Sequence, residues 1–398
     1  MIADTVVEKN GKKRVLLCMH LPPPVHGASM VGKYIQDSAL INNRFDCQYV
    51  NITAAATLSD IGRWGIKKFW RYCKLLHHLH HEINLFQPHL VYLTPNSAGR
   101  PFYKDYMTVV LLKFWCRRLR EKQNTQILLH FHNKGCEDFS KCWINDWLYK
   151  RFFNNIHVLL LSKRLYDDVK RYVPEQRVVV CGNGIPAIIT PNNKGASDGV
   201  QKAHSFSAPI HILFLSNMME EKGVWTLLNA CCLIKERGTD FRCTFVGGWK
   251  DITEQMFNEK VEKLGLQTEV SAVGAKYDKE KESYWRDADV FVFPTFYHNE
   301  CFPLVLLEAM QHALPCISTD EAAIPDIIDN GKTGFVVDKR NCRQLAERII
   351  QLANDREMAA NMGMEGLHKY KRLFTLDAFE KRMCDIFEQM NADGVEKQ

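Results

Sequence analysis

The sequence predicts an α/β protein made of two domains of similar size, and three observations carry that expectation. At 398 residues the chain exceeds what one hydrophobic core organises, so two domains of roughly 200 residues each are expected. Short apolar runs bounded by turn residues alternate with longer stretches of helical periodicity. That alternation fails once, between Pro191 and Pro209, and then resumes.

Taken in order, the first run is Val15–Met19, followed by Tyr49–Ile52, Leu90–Thr94, Ile127–Phe131, Val158–Ser162 and Val178–Cys181. Runs this short and this continuously apolar are what parallel strands covered on both faces require. The segments between them, such as 102–122 and 163–172, carry helix periodicity and complete a βα alternation. Asn192-Asn193-Lys194-Gly195 and the polar Ser- and Gly-rich run after it hold no periodic apolar residues, which marks a linker. Strands restart at Ile210–Leu215, Cys243–Val246, Val290–Pro294, Cys316–Ser318 and Phe335–Val337. The division is a first domain over 1–190, a linker over 191–209, a second domain over 210–374, and a C-terminal helix and tail over 375–398. Packing back on the first domain is one arrangement open to that helix.

Composition narrows the functional classes. An apolar fraction of 46% and a charged fraction of 25% fit an ordinary globular protein. The net charge of +6 is divided unevenly: residues 1–200 carry 28 basic against 15 acidic side chains, and residues 201–398 carry 24 against 31. The basic first half suits anionic partners, with a merely solvated basic face as the alternative. No run approaches the roughly 20 apolar residues needed to cross a bilayer, so membrane association is expected to be peripheral. The apolar run near the start is too short for a secretory signal and stops at Pro22-Pro23-Pro24. Fourteen cysteines without a CxxC pair read as reduced thiols in a cytoplasmic protein, and the isolated spacing of Cys136 and Cys142 is weak evidence for zinc.

Three segments carry candidate chemistry. Gly27-Ala-Ser-Met-Val-Gly32-Lys33-Tyr34 falls one residue short of a Walker A loop, because Tyr34 cannot present the small hydroxyl that binds Mg²⁺ and no Walker B partner is evident. Gly27 is then read either as letting backbone approach an anion at a helix start or as a plain strand-to-helix turn. Lys222, in Asn217-Met-Met-Glu-Glu-Lys222-Gly223, precedes an amphipathic run. A cation there opposes the helix dipole unless an anion is shared with it, so a phosphate site is expected. Glu300-Cys-Phe-Pro-Leu-Val-Leu-Leu-Glu308 places Pro303 in the first turn of a helix. Its two carboxylates would stand about 12 Å apart if the helix spanned the segment. That is too far for an acid/base pair astride one glycosidic bond, which needs roughly 5–9.5 Å. It suits gripping two ends of an extended ligand, with the N–H groups near Leu304 and Val305 facing an anion between them. The spacing alone equally fits two ordinary surface glutamates.

The surrounding residues add to this. Glu300 to Glu308 continues into Ala309-Met-Gln-His-Ala-Leu-Pro315-Cys-Ile-Ser-Thr319-Asp320, then Ile324-Pro-Asp-Ile-Ile and Asn330-Gly-Lys-Thr-Gly334. Together they resemble the core signature of family 4 glycosyltransferases (glycosyl transferases group 1). Phe214 to Gly223 resembles the family's phosphate loop, Phe245-Val-Gly-Gly248 the strand and turn after it, Cys181-Gly-Asn-Gly184 the turn before the linker, and Pro22 to Gly27 the first glycine loop. The resemblance spans nearly the whole chain and is strongest over residues 210–337. It implies the GT-B fold, two Rossmann-like domains facing a central cleft, and a retaining transfer of a hexose-type sugar from a nucleotide-diphosphate sugar to an acceptor hydroxyl.

Within that resemblance Glu300 would contact donor-sugar hydroxyls, Lys222 would neutralise the leaving diphosphate and Glu308 would bond the ribose. Gly27, Asn217, Phe302, Leu304 and Val305 would complete the donor site, and His132 would stand near the sugar. As sequence alone, His132 also reads as a satisfied core histidine. No cofactor or metal is implied. The donor would be a UDP- or GDP-sugar, and a lipid-linked saccharide in surface polysaccharide or lipopolysaccharide assembly would be the acceptor. Two departures stand out: Asn217 occupies the place of a usual arginine, and Ala322-Ala323 replaces a Gly-Gly pair.

Cations interleave with aromatics in Trp64-Gly-Ile-Lys67-Lys68-Phe-Trp70-Arg71 and again in Phe114-Trp-Cys-Arg-Arg-Leu-Arg120. These read as acceptor-side or membrane-interface helices at the inner face of the membrane, with an ordinary half-buried helix as the alternative. No nucleic-acid module accompanies them. His77-His78-Leu79-His80-His81 reads as a helix face rather than a metal site. Two further functions remain open: a sugar-nucleotide epimerase on the same fold, and a non-catalytic sugar-nucleotide binding protein.

Overall fold

The computed structural model describes residues 11–24, 27–53, 66–119, 124–188 and 208–392. The chain divides into two compact units, Met1–Asn183 with Leu376–Gln398, and Gly184–Thr375. Positions 191–207 of the expected linker and Trp64 lie outside the described residues.

In the first unit the elements are β1 (Arg14–Met19), α1 (Gly27–Asp37), α2 (Ala39–Arg44), β2 (Asp46–Asn51), α3 (Ile66–Phe86), β3 (Leu90–Leu93), α4 (Gly99–Leu119), β4 (Gln126–His130), α5 (Cys136–Phe139), α6 (Trp143–Phe153), β5 (His157–Leu160) and β6 (Val178–Val180). The six strands form one sheet in the order β2-β1-β3-β4-β5-β6, parallel throughout. Val15 to Cys18 of β1 pair with Leu90 to Leu93 of β3, and all of these side chains are buried. Helices cover both faces, which is why the strands read as continuous apolar runs. Gly32, rather than Gly27, is the glycine that packing demands. A Cβ on Gly32 would stand 2.2 Å from the His20 carbonyl oxygen, whereas one on Gly27 would meet nothing within 4 Å.

The helix expected over 163–172 is a 3-10 helix, Lys163–Asp168. Asp168 turns its carboxylate onto the backbone N–H groups of Gly135, Cys136 and Glu137 at 2.9–3.2 Å. Those bonds neutralise the start of α5.

The second unit contains β7 (Ile210–Leu215), α7 (Val224–Glu236), β8 (Phe241–Val246), α8 (Glu254–Lys263), β9 (Val270–Ala272), α9 (Asp278–Asp287), β10 (Val290–Phe293), α10 (Leu304–Gln311), β11 (Cys316–Thr319), α11 (Ile324–Ile327), β12 (Gly334–Val337), α12 (Cys342–Asn354) and α13 (Arg356–Leu373). Its parallel sheet runs β12-β11-β10-β7-β8-β9. Read from β9, this is the strand order 3-2-1-4-5-6, whose direction of winding reverses between β7 and β10. Thr253, Asn341 and Asp355 cap α8, α12 and α13 by accepting from backbone N–H groups, which satisfies donors that a helix start leaves orphaned. The sequence did not announce β9. Three residues with Ser271 at the centre are too short and too polar to stand out.

Helix α14 (Leu376–Ala392) belongs to the first unit although it follows the second in sequence. Its Phe387 meets Phe45 and Tyr92 edge-on, at 5.7 Å in each case. Glu388 receives a bidentate pair of bonds from Arg44 at 2.5 and 2.8 Å.

Candidate functional site

In an open parallel sheet, ligands bind beyond the carboxyl ends of the strands where the winding reverses. In the second unit that place lies beyond β7 and β10, and the chain puts Lys222 after one strand and Glu300 after the other. The β7 loop is pinned by two close approaches. A Cβ on Gly247 would lie 1.7 Å from the Ser216 carbonyl oxygen, and one on Gly223 would lie 2.2 Å from that of Pro294. Gly223 also takes φ +88, a conformation open to glycine at little cost. Backbone bonds continue the junction: Phe296 N–H donates to the Glu221 carbonyl at 2.8 Å. Lys222 ends a short 3-10 turn, Glu220–Lys222, just before α7.

Across this junction the Lys222 ammonium meets Glu300 Oε2 at 2.6 Å, and each side chain is only 13% exposed. The ammonium also lies 4.3 Å from the centre of the Tyr297 ring. Such an arrangement favours a held cation. A desolvated ion pair is a costly way to gain stability, so its position at the winding reversal points to ligand binding.

The helix between the two glutamates is shorter than expected. α10 begins at Leu304, and Pro303 is its N-cap rather than a first-turn residue. Glu300 therefore precedes the helix in a turn, its N–H donating to the Tyr297 carbonyl, and the 12 Å estimate does not apply. Proline at the N-cap has no side-chain acceptor, and no side-chain cap is formed. Leu304 and Val305, the first two residues of the helix, are half-buried and have no intrahelical acceptor for their N–H groups. Phe302 is buried against Phe374, ring centres 5.9 Å apart. Its side chain belongs to the core of the unit, which leaves its backbone as the part that could serve a ligand.

Glu308 also has a lysine partner. Lys281 on α9 meets Glu308 Oε2 at 2.5 Å, each side chain about a quarter exposed. The same helix docks on the end of α10 a second time: Glu282 meets His312 Nε2 at 3.1 Å, His312 Nδ1 faces the Glu308 carbonyl at 2.8 Å, and the His312 ring stacks on buried Trp285. Sequence reasoning missed Lys281, because Lys279-Glu-Lys-Glu282 reads as a solvated charge run. Asn217 is exposed at the end of β7, and its Oδ1 would lie 3.7 Å from a Cβ on Gly248.

Chemically, the loop and helix combine one ammonium with donors to spare, carboxylates with free lone pairs, and an uncapped helix start. Anionic oxygens suit the ammonium and the N–H groups, and ligand hydroxyls suit the carboxylates. Among the described residues no group of three or more His, Cys, Asp or Glu side chains is placed to hold a metal ion.

The remaining candidates lie in the first unit. Gly27 is the first residue of α1. His132 is half-buried beyond the end of β4, its ring centre 4.1 Å from that of His130. His130 is fully buried and bonds Tyr92 through Nδ1 at 2.6 Å. Burial holds the His130 imidazole well below its usual range, and the neighbouring His132 adds to this. Trp70 and Arg71 are exposed on α3, which also contains Lys67 and Lys68. The histidine-rich run lies on α3 too, where His80 packs on Trp115 at 5.0 Å and bonds Asn84. None of the fourteen cysteines, all of them among the described residues, is joined in a disulfide.

Residues 198–369 match the family model described as Glycosyl transferases group 1. The chain is 23% identical over 248 residues to the amylovoran biosynthesis glycosyltransferase of Erwinia amylovora, covering 61% of this chain and 58% of that one. To the capsular polysaccharide biosynthesis glycosyltransferase of Staphylococcus aureus it is 28% identical over 162 residues, 41% of each. The chain thus spans about half the length of the curated relatives it matches. Among solved structures, sucrose-phosphate synthase from Thermosynechococcus elongatus aligns with a TM-score of 0.67 at 16% identity, covering 96% of this chain and 100% of that one. An Anabaena protein in complex with UDP-glucose aligns with a TM-score of 0.65 at 14% identity, covering 94% and 99%. The fold is GT-B, with its two parallel six-stranded sheets, and residues 198–369 are similar to the glycosyl transferases group 1 family.

Proposed function

We propose that the chain is a family 4 glycosyltransferase that moves a hexose-type sugar from a nucleotide-diphosphate sugar to an acceptor hydroxyl with retention of configuration, in surface polysaccharide assembly. One observation carries the reading: the Lys222–Glu300 pair at the winding reversal of the second unit, followed by the uncapped start of α10 and by Glu308.

In this reading the diphosphate draws on the Lys222 ammonium and on the N–H groups of Leu304 and Val305. Glu300 accepts bonds from sugar hydroxyls and Glu308 from the ribose. The bond between the anomeric carbon and the diphosphate oxygen breaks, the acceptor oxygen forms the new bond, and the acceptor proton leaves on the departing phosphate. Positive charge developing on the sugar faces the Glu300 carboxylate, and negative charge on the leaving group faces Lys222. That is electrostatic stabilisation supplied by groups fixed in advance.

A UDP-sugar is the favoured donor, supported by the UDP-glucose held by the Anabaena neighbour, with a GDP-sugar as the second choice. The names of the curated relatives support a saccharide acceptor, which we take to be lipid-linked and met at the cytoplasmic face of the membrane. The reaction is proposed to need no metal. A panel of UDP-, GDP-, ADP- and dTDP-sugars tests the reading through thermal stabilisation and slow donor hydrolysis, with and without EDTA. Stabilisation by one nucleotide class and EDTA-insensitive hydrolysis are expected. No response to any sugar nucleotide would sink the proposal, and conversion of the donor into another sugar nucleotide would replace transfer with epimerisation.

A further inference from the structure

Two helices of the first unit are apolar on both sides. α6 buries Tyr149, Phe152 and Phe153 in an aromatic core, yet its outer face leaves Trp143 78% and Trp147 48% exposed. α4 buries Phe102, Val109 and Leu112 and leaves Tyr103, Met107 and Phe114 exposed. At 100° per residue, Tyr103, Met107, Phe114 and Arg118 fall within an arc of about 60°. Clustered apolar side chains on the outer face of a helix whose inner face is already buried mark an interaction surface.

The two faces adjoin. Tyr103 donates to Asn145 Oδ1 at 3.0 Å near the starts of α4 and α6, and Lys113 donates to the Arg151 and Phe152 carbonyls further along. The helices therefore run side by side in the same direction. α3 flanks α4 through Tyr72, which bonds the Lys104 carbonyl and Thr108, and adds exposed Phe69 and Trp70.

Charge identifies the occupant. α3, α4 and α6 together hold eleven lysines and arginines against three carboxylates. Of the three, Asp105 is buried on Asn96, Asp146 is paired with Lys150 and Arg171, and Glu82 faces His78. Cations lie directly over the exposed rings, with the Arg151 guanidinium 4.0 Å above Trp147 and that of Arg118 4.5 Å above Phe114. Tryptophan beside arginine is the chemistry of a membrane interface carrying negative headgroups. Among the described residues no helix is long and apolar enough to cross a membrane. We propose that the outer faces of α4 and α6, flanked by α3, form a docking surface for an anionic phospholipid bilayer, with the tryptophans seated among the headgroups.

This inference does not use the transferase reading, because binding is measured without donor or acceptor. The test is co-sedimentation of the full chain with phosphatidylcholine vesicles, with and without phosphatidylglycerol. Binding is expected only with phosphatidylglycerol, weakening as salt is raised. A Trp143→Ser/Trp147→Ser pair and an Arg118→Glu/Arg151→Glu pair should each weaken it about tenfold or more. The charge-reversal pair leaves every aromatic in place and decides the matter even if the tryptophan pair unfolds. Equal binding to neutral vesicles, or wild-type binding by the charge-reversal pair, would overturn the proposal. So would a concentration-dependent dimer that the tryptophan pair dissolves, which would seat a second copy of the chain on this face.

Discussion

Lys222 and Glu300 are each nearly enclosed, and neither has another described side-chain charge within ion-pair distance. Removing the ammonium leaves the Glu300 carboxylate without its cation and, in the proposed site, a diphosphate without its counter-charge. Lys222→Ala is therefore expected to lower turnover by on the order of 10²–10³, measured as donor-dependent transfer or hydrolysis, and near-normal rates would refute the role.

His130 supports a prediction about pH. Its folded pKa is lowered by burial, so below an unfolded value of about 6.5 the unfolded chain binds the extra proton and the folded chain does not. The contribution of the neutral imidazole is fully present above that value and is lost as pH falls. His130→Gln should flatten the decline of the melting temperature between about pH 7 and pH 5. An unchanged slope would place the sensitivity elsewhere, with buried His211, lowered in the same direction, as the next group to vary.

Ala322 is held at φ +46, where an L-residue pays about 1–2 kcal/mol. It stands where the resembled pattern carries glycine. Ala322→Gly should stabilise the second unit by about 0.5–1 kcal/mol after the added chain entropy is counted. Loss of stability in urea unfolding would show that the methyl group packs rather than strains.

At the scale of elements, the junction of β7 and β10 depends on Gly223, where φ is left-handed and a Cβ would strike the Pro294 carbonyl. Lys281 is a positioning residue, since it touches Glu308 from a neighbouring helix. Lys281→Ala should raise the donor KM several-fold with little change in kcat, because in the proposed site it frees the carboxylate assigned to the ribose rather than the one assigned to the reacting sugar. An equal fall in kcat would assign it to the chemistry instead.

The strands were legible in the sequence because a strand covered on both faces has no choice but a run of Val, Ile, Leu and Phe. Most of the expected bounds fall within a residue or two of the observed ones, although β2 and β8 each begin earlier. Lys222 and Glu300 stand out in the sequence through the motif around them, and the structure brings the two side chains together. The start of α10 was misread because Pro303 suits the first turn as well as the cap. An aromatic in a binding motif and an aromatic in a core look alike in sequence, so the packing of the Phe302 ring on Phe374 was not legible there. Lys281, Gly32 and Asp168 act through partners 27, 12 and 31–33 residues away, and no local pattern encodes such contacts.

Across the whole molecule, the chemistry proposed here and the excess of basic charge fall in different units. The groups proposed to hold the donor, Lys222, Glu300, Glu308 and the start of α10, all belong to Gly184–Thr375. The basic, aromatic helices belong to the first unit. The same division was visible in the uneven charge of the two halves of the sequence.

The central claim is that the second unit holds a nucleotide-diphosphate sugar through Lys222. Calorimetric titration of the full chain and of its Lys222→Ala form with UDP, UMP and uridine, and with the guanosine series, tests it most directly. The account predicts that one series binds the wild type best as the diphosphate, and that Lys222→Ala weakens the diphosphate about tenfold or more while leaving the nucleoside unchanged. Equal affinity of the variant for the diphosphate, or no binding by either series, would contradict it.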